Sequence, residues 1–453
     1  MENIKENKMG VMPVNRLLVT MALPIMVSML VQALYNVVDS IFVARVSDEA
    51  LTAVSLAFPA QNLMIAIGVG TCVGINALLS RALGEKEFDY ANSVAKNGVF
   101  LAIISYLVFL VLGLTASEYF YTVQTNNKEV IEGGVAYLKI CTVFSFGIFG
   151  QLVFERLMQS TGKTFYTMIT QGTGAVINII LDYVLIFGKF GFPKMGVAGA
   201  AAATVVGQIA AMIMAIVLNF VKNPEISLNI KGFRPSLRII GHIYSIGVPS
   251  IIMGAIGSFM TFCMNKILYV FSDLAVNVFG IYFKLQSFIF MPVFGLNNGL
   301  VPIVSYNYGA AKRERLLKAV KLAYTYAFFI MLAGCLIFQF ASEPILRILF
   351  DASDALIKIG VPALRIISTS FLLAGFSVIS ISVLQSLGRG VSAMLVSIIR
   401  QVGVLIPVAY FMSLTGKLEL VWVAFPVSEF VCVACALSFF YATYKKVIKP
   451  LGR

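Results

Sequence analysis

The stretch LLVTMALPIMVSMLVQALYNVV, Leu17–Val38, decides the fold. It runs between Arg16 and Asp39 without a single charge. A helix needs about 20 predominantly apolar residues to cross the hydrocarbon core of a bilayer, and this run supplies them. It is as long as a full span and lacks a small-residue cleavage site, so it reads as a retained helix, not a signal peptide.

Working outward, eleven more charge-poor runs follow: Leu51–Leu79, Gly98–Ser117, Gly133–Phe154, Phe165–Phe187, Met195–Val221, Ile239–Val270, Ala275–Ile303, Leu322–Ser342, Ile359–Leu387, Val391–Leu414 and Leu420–Tyr444. The whole chain agrees. Of 453 residues, 59% are hydrophobic and only 12% charged, with a mean hydropathy of +0.91. A soluble domain carries about a quarter charged residues. Composition therefore excludes a soluble enzyme, a nucleic-acid-binding domain and a disordered chain. No water in the bilayer core can satisfy backbone groups, so the runs are helices. The ten-residue alternation of a β-barrel is missing. The fold class is all-α integral membrane, with twelve transmembrane helices.

The net charge of +13 could suggest a nucleic-acid partner. In a membrane chain it reads instead as basic loops kept on the cytoplasmic side. With both termini on one side, that side holds 21 Lys and Arg residues, among them Lys5 and Arg453, and the opposite loops hold 7. Six more lie within or at the edges of spans. The expectation is a multi-pass protein of the cell membrane with both termini cytoplasmic. The longest polar stretch between spans, KNPEISLNIKGFRPSLR at Lys222–Arg238, divides them six and six. It separates an expected N-terminal lobe, 1–225, from a C-terminal lobe, 226–453.

The halves repeat each other. At an offset of 225, Pro24, Phe58 and Gln61 meet Pro249, Phe283 and Gln286. Gly70, Gly74, Ser80 and Gly84 meet Gly295, Gly299, Ser305 and Gly309. At 226, Leu138-Lys139-Ile140 meets Leu364-Arg365-Ile366, and Gln159-Ser160 with Gly162-Lys163 meets Gln385-Ser386 with Gly388-Arg389. An even number of spans per copy makes the repeats parallel, related by an axis along the membrane normal. That is secondary-transporter architecture. Pro24 and Pro249 each remove a backbone hydrogen bond at equivalent depth, and paired interruptions of this kind point to bent or moving segments. No GxxxxGK[ST] loop is present, so transport runs on gradients.

Charges inside the membrane are costly and mark function by default. Asp182, in VINIILDYVLIF, has Asn178 one turn earlier on the same face. A carboxylate beside an amide can bind a small cation or hold a proton. Asp39 closes the first span, with Gln32 and Asn36 on its face; it reads either as a functional carboxylate or as an interfacial residue near Arg45. Thr204 and Gln208, four apart in the sixth span, offer further oxygens or bonds to neighbouring helices. Glu155 with Arg156 ends the fourth span. Glu429 lies inside the last span, Lys284 inside the eighth and Arg400 inside the eleventh, so a buried Glu–cation contact is open. Asp39 maps onto Met264 and Asp182 onto Val408; the first half has carboxylates that the second lacks. The six cysteines fall in apolar runs and the chain has one histidine, His242. No structural metal site, catalytic constellation or cofactor is expected beyond a coupling ion, which could be Na⁺ at the carboxylates.

Taken in order, ALP at Ala22–Pro24, VDSIFVA around Asp39, SRALG at Ser80–Gly84, QSTGKT at Gln159–Thr164, NIILDYVLIFG at Asn178–Gly188, GVAGAAAAT at Gly196–Thr204, LVPIVSYNYGA at Leu300–Ala310 and VLQSLGRG at Val383–Gly390 resemble the MATE (multidrug and toxic compound extrusion) family, over essentially the whole chain. The resemblance implies a V-shaped pair of six-helix lobes, exporting organic cations and other xenobiotics in exchange for H⁺ or Na⁺; alternating access of the two lobes and a monomer are the accompanying expectations. By that resemblance Asp39, Asn178, Asp182 and Thr204 match cation-site positions of DinF-like members, and Glu155 and Glu429 match acidic positions of MepA-like members. The seventh span departs from members with an acid there, offering only Asn265 and Lys266. The alternative within the same superfamily is an exporter or flippase of a dedicated metabolite or lipid-linked precursor.

Overall fold

The computed structural model describes residues 6–229 and 231–451. Lys5 and Arg453 of the cation tally, and Ile230 of the polar linker, lie outside the described residues. The described chain is helical throughout, as the unbroken hydrophobic runs require. Ten helices cross-match the bilayer alone: Val14–Ala44, Asp48–Gly84, Phe88–Thr122, Thr164–Phe187, Gly196–Lys222, Leu237–Tyr269, Asp273–Gly309, Arg313–Phe350, Gly390–Ser413 and Leu418–Ile448. The fourth and tenth spans are bent pairs, Lys128–Val143 with Phe146–Ser160 at 43°, and Asp354–Ser368 with Phe371–Ser386 at 48°. Together these account for the twelve spans. The sequence run shows no break at either bend. Hydroxyls supply one: Thr142 Oγ1 donates to the Leu138 carbonyl at 2.7 Å, and Thr369 and Ser370 donate to the carbonyls of Ile366 and Ile367. Such bonds compete with the helical ladder and bend it.

The repeat holds down to single contacts. Ser47 caps the second span by accepting from the Ala50 N–H at 3.0 Å, and Ser272 caps the eighth from Ala275 at 3.2 Å. Lys86 and Ala311, 225 apart, both turn with positive φ. Ser80 donates to the Ser160 carbonyl at 3.0 Å and Ser305 to that of Ser386 at 2.9 Å. Large apolar side chains such as Leu107, Val111 and Leu114 on the third span, and Phe329 and Phe340 on the ninth, stay exposed. Only lipid gives so many of them a favourable environment.

Packing divides the chain into two compact units, 27–247 in one and 1–26 with 248–453 in the other. Both dividing points fall inside helices, within three residues of Pro24 and Pro249. The first part of the first span therefore packs with the C-terminal spans. Likewise the first part of the seventh packs with the N-terminal spans. The repeated glycines explain how. A Cβ on Gly74 would lie 2.2 Å from the Ile243 carbonyl oxygen, and one on Gly247 would lie 3.1 Å from that of Gly70. In the other unit, Cβ atoms on Gly295 and Gly299 would lie 2.6 and 2.8 Å from the Cα atoms of Met26 and Ala22. Each pair of glycines opens a groove that receives the exchanged half-helix backbone to backbone, as small residues do at membrane helix contacts.

Candidate cation site

In the unit 27–247, small residues build the site. The fifth and sixth spans approach closely at Gly174 and Gly207, where a Cβ on Gly207 would lie 2.7 Å from the Gly174 carbonyl oxygen. The alanine-rich run before Thr204 allows the same closeness. This brings Asn178, buried, within 3.3 Å of Thr204 Oγ1. With the Asn178 amide oxygen turned to accept from Thr204, the amide nitrogen donates to Asp182 Oδ2 at 3.2 Å. Asp182 is buried one turn along the same helix.

The first span completes the site. Phe42 packs on Tyr183 and on Phe187, with ring centroids 6.3 and 5.9 Å apart. These contacts hold the first span against the fifth and place the Asp39 carboxyl in hydrogen-bond contact with that of Asp182. One carboxyl oxygen of each, Oδ1, is buried with no partner. Two facing carboxyls cannot both carry bare charge in a low-dielectric interior. They need a proton between them or a cation beside them. The oxygens available, from two carboxyls, an amide and a hydroxyl, are the hard donors that a small alkali cation takes.

Sequence reading missed the surround of this site. Tyr35 lies within hydrogen-bond reach of Gln32 and close to both aspartates. Tyr137, also near Asp39, accepts from Gln61 Nε2 at 3.1 Å. The recurrence of Gln61 as Gln286 was a signal, but phenol rings in an aromatic-rich chain give none. Gln32 and Asn36 are exposed on the first span, and Gln208 is half-buried.

Glu155 does not join this group. It is 2% exposed and accepts from Gln151 Nε2 at 3.1 Å, Thr170 Oγ1 at 2.8 Å and Gln171 Nε2 at 2.7 Å. Between the fourth and fifth spans, Lys163 bonds Asn223 Oδ1 at 3.2 Å and lies 3.7 Å from Glu225. Burial pulls its ammonium below the usual lysine range, and Glu225 opposes the shift.

In the unit 1–26 with 248–453, a different arrangement stands where the repeat would put a second site. At an offset of 226, Asn178, Asp182 and Thr204 correspond to Val404, Val408 and Phe430, which offer no oxygens. Gly174 corresponds to Arg400. Its Nη1 lies 3.0 Å from Glu429 Oε1, and Ser377 Oγ donates to Glu429 Oε2 at 3.1 Å. The backbone widens into a π-helix over Ile399–Leu405, where a guanidinium has taken the place of a glycine. The cation on Glu429 is thus Arg400; Lys284 is exposed. Among the described residues no three His, Cys, Asp or Glu side chains cluster as metal ligands.

The MatE family profile matches the chain twice, over residues 24–184 and 249–411, once per repeat and 225 residues apart at the start. The chain belongs to the MATE family. Multidrug export protein MepA of Staphylococcus aureus (strain MRSA252) is 27% identical over 432 residues, 95% of this chain and 94% of that protein. An outward-facing multidrug resistance MATE family transporter of the MOP superfamily superposes with a TM-score of 0.92 at 24% identity, over 99% of this chain and all of the other. A MOP superfamily transporter from Pyrococcus furiosus gives a TM-score of 0.91 at 24% identity over all of both chains. These last two likenesses concern the fold.

Proposed function

We propose that this MATE-family transporter is a secondary antiporter that exports cationic, amphiphilic xenobiotics in exchange for H⁺ or Na⁺. The carrying observation is the contact of Asp39 with Asp182, completed by Asn178 and Thr204. The multidrug name of the MepA relative supports the substrate class. A chain rich in Phe, Met and Tyr has the side chains that bind flat organic cations.

In this reading the site is a monovalent charge balance. An arriving proton is shared by the two carboxyls, or Na⁺ is held by their oxygens with the Asn178 and Thr204 oxygens. Either neutralises the pair, and the first and fifth spans then close on each other without repulsion. Departure of the ion restores negative charge that attracts an organic cation. Exchange follows only if ion and drug favour different states, because a ligand with equal affinity for both shifts nothing. The two halves alternate in access, the protein acts as a monomer in the cell membrane, and both termini face the cytoplasm.

The experiment is dye efflux from proteoliposomes, with ethidium or a quaternary ammonium dye, under separately imposed pH and Na⁺ gradients. Efflux under one gradient alone names the coupling ion. No movement of several cationic dyes under either gradient defeats the multidrug reading and favours a dedicated metabolite or lipid-linked substrate.

A further inference from the structure

We propose that the turn between the eighth and ninth spans binds a phosphate-bearing anion, the headgroup of an acidic lipid or a soluble phosphate compound. A cavity of about 660 Å³ opens there, lined by Lys312, Arg313, Arg315, Glu314, Leu317 and Leu451. All of it lies within one packing unit.

Three cations line it, Lys312, Arg313 and Arg315, against one carboxylate, Glu314. Lys312 contacts Glu6 and also donates to the Gly10 carbonyl at 3.0 Å. The two guanidinium groups meet neutral oxygens only. Arg313 Nη2 bonds the Tyr444 hydroxyl at 2.7 Å. Arg315 bonds the carbonyls of Met9 and Met12, at 3.2 and 2.6 Å, and Asn307 Oδ1 at 3.3 Å. Among the described residues no carboxylate comes within 4 Å of either guanidinium. These bonds orient both groups without cancelling their charge. Lys445, Lys446 and Lys449 follow Tyr444 in the chain and add to the local field. Guanidinium pairs match phosphate oxygens in shape and charge. Basic pockets at the ends of membrane helices recognise anionic headgroups on the same grounds. An anion there would also tie the segment around Met9 and Met12, whose carbonyls Arg315 holds, to the start of the ninth span.

The test uses purified full-length protein and two probes. Native mass spectrometry in detergent follows adducts of phosphatidylglycerol and of phosphatidylcholine. In parallel, melting is measured with inorganic phosphate against chloride at equal ionic strength. The wild type should prefer phosphatidylglycerol, and Arg313→Gln should weaken that preference about fivefold, as loss of one cation near a headgroup implies. Leu317→Trp, which fills the cavity and keeps every charge, should weaken it too, separating a site from diffuse surface charge. Arg313→Lys should retain part of it and shows that the fold tolerates change there. Stabilisation by phosphate, lost in Arg313→Gln and without any lipid preference, assigns the site to a soluble phosphate compound. Equal binding of both lipids with no effect of phosphate overturns the proposal. So does a phosphatidylglycerol preference that survives both Arg313→Gln and Leu317→Trp.

Discussion

At the scale of single residues, the two units handle membrane charge in opposite ways. Asp39 and Asp182 face one another with one buried oxygen each unpartnered, the pair that the proposed function fills with a mobile ion or proton. Glu429 has a permanent counter-ion in Arg400. Asp182→Asn keeps shape and hydrogen bonding but removes the charge. It should cut gradient-driven efflux at least about tenfold, or ~1.4 kcal/mol of coupling, with normal membrane yield. Asp39→Asn should act in the same direction. Wild-type efflux by well-expressed Asp182→Asn protein sinks the assignment. For the fixed pair the readout is stability. Arg400→Met strands a carboxylate in the unit interior and should cost about 3 kcal/mol, while Arg400→Met with Glu429→Leu should recover most of it. Melting of the purified variants decides; a double variant no more stable than the single one contradicts a simple counter-ion role.

Elements carry the next level. The first and seventh spans are each shared between two packing units, and the glycines that receive them stand 225 residues apart. Gly74→Val pushes a side chain into the backbone of Ile243, and Gly299→Val into that of Ala22. Backbone cannot move aside as a side-chain tip can, so each should destabilise by about 1–3 kcal/mol. The repeat predicts that the two losses match in size. Gly280, with nothing within 4 Å of its added Cβ, is the control: Gly280→Ala should leave melting nearly unchanged. Comparable stability of Gly74→Val and wild type would show that the half-helix is not seated there. The bends of the fourth and tenth spans belong to this level as well. Hydroxyl bonds to carbonyls a turn back create them, and no proline is needed at either break.

Over the whole molecule, the exposed aliphatic and aromatic surface meets lipid, and the uneven cation distribution predicts cytoplasmic termini. Arg234 is exposed in the linker between the halves. In a background without the native cysteines, Arg234→Cys should resist an impermeant maleimide in intact cells and react after permeabilisation. Rapid labelling in intact cells reverses the predicted orientation.

The chain by itself determined the membrane class, the twelve spans, the duplication and the identity of Asp39, Asn178, Asp182 and Thr204 as candidates. Those are statements about hydrophobic run length, register and the cost of charge in hydrocarbon, and each is local or periodic along the sequence. Tertiary structure decided which of the polar residues meet. Asp39 and Asp182 are far apart in sequence, and their contact depends on Phe42 packing against the fifth span and on glycines that let the fifth and sixth approach. It chose Arg400 over Lys284 for Glu429, set Glu155 among neutral donors, and exchanged the first halves of two helices between units. Interhelical distance comes from side-chain volume at contacts between distant segments, and no period or run length in one strand of sequence encodes it.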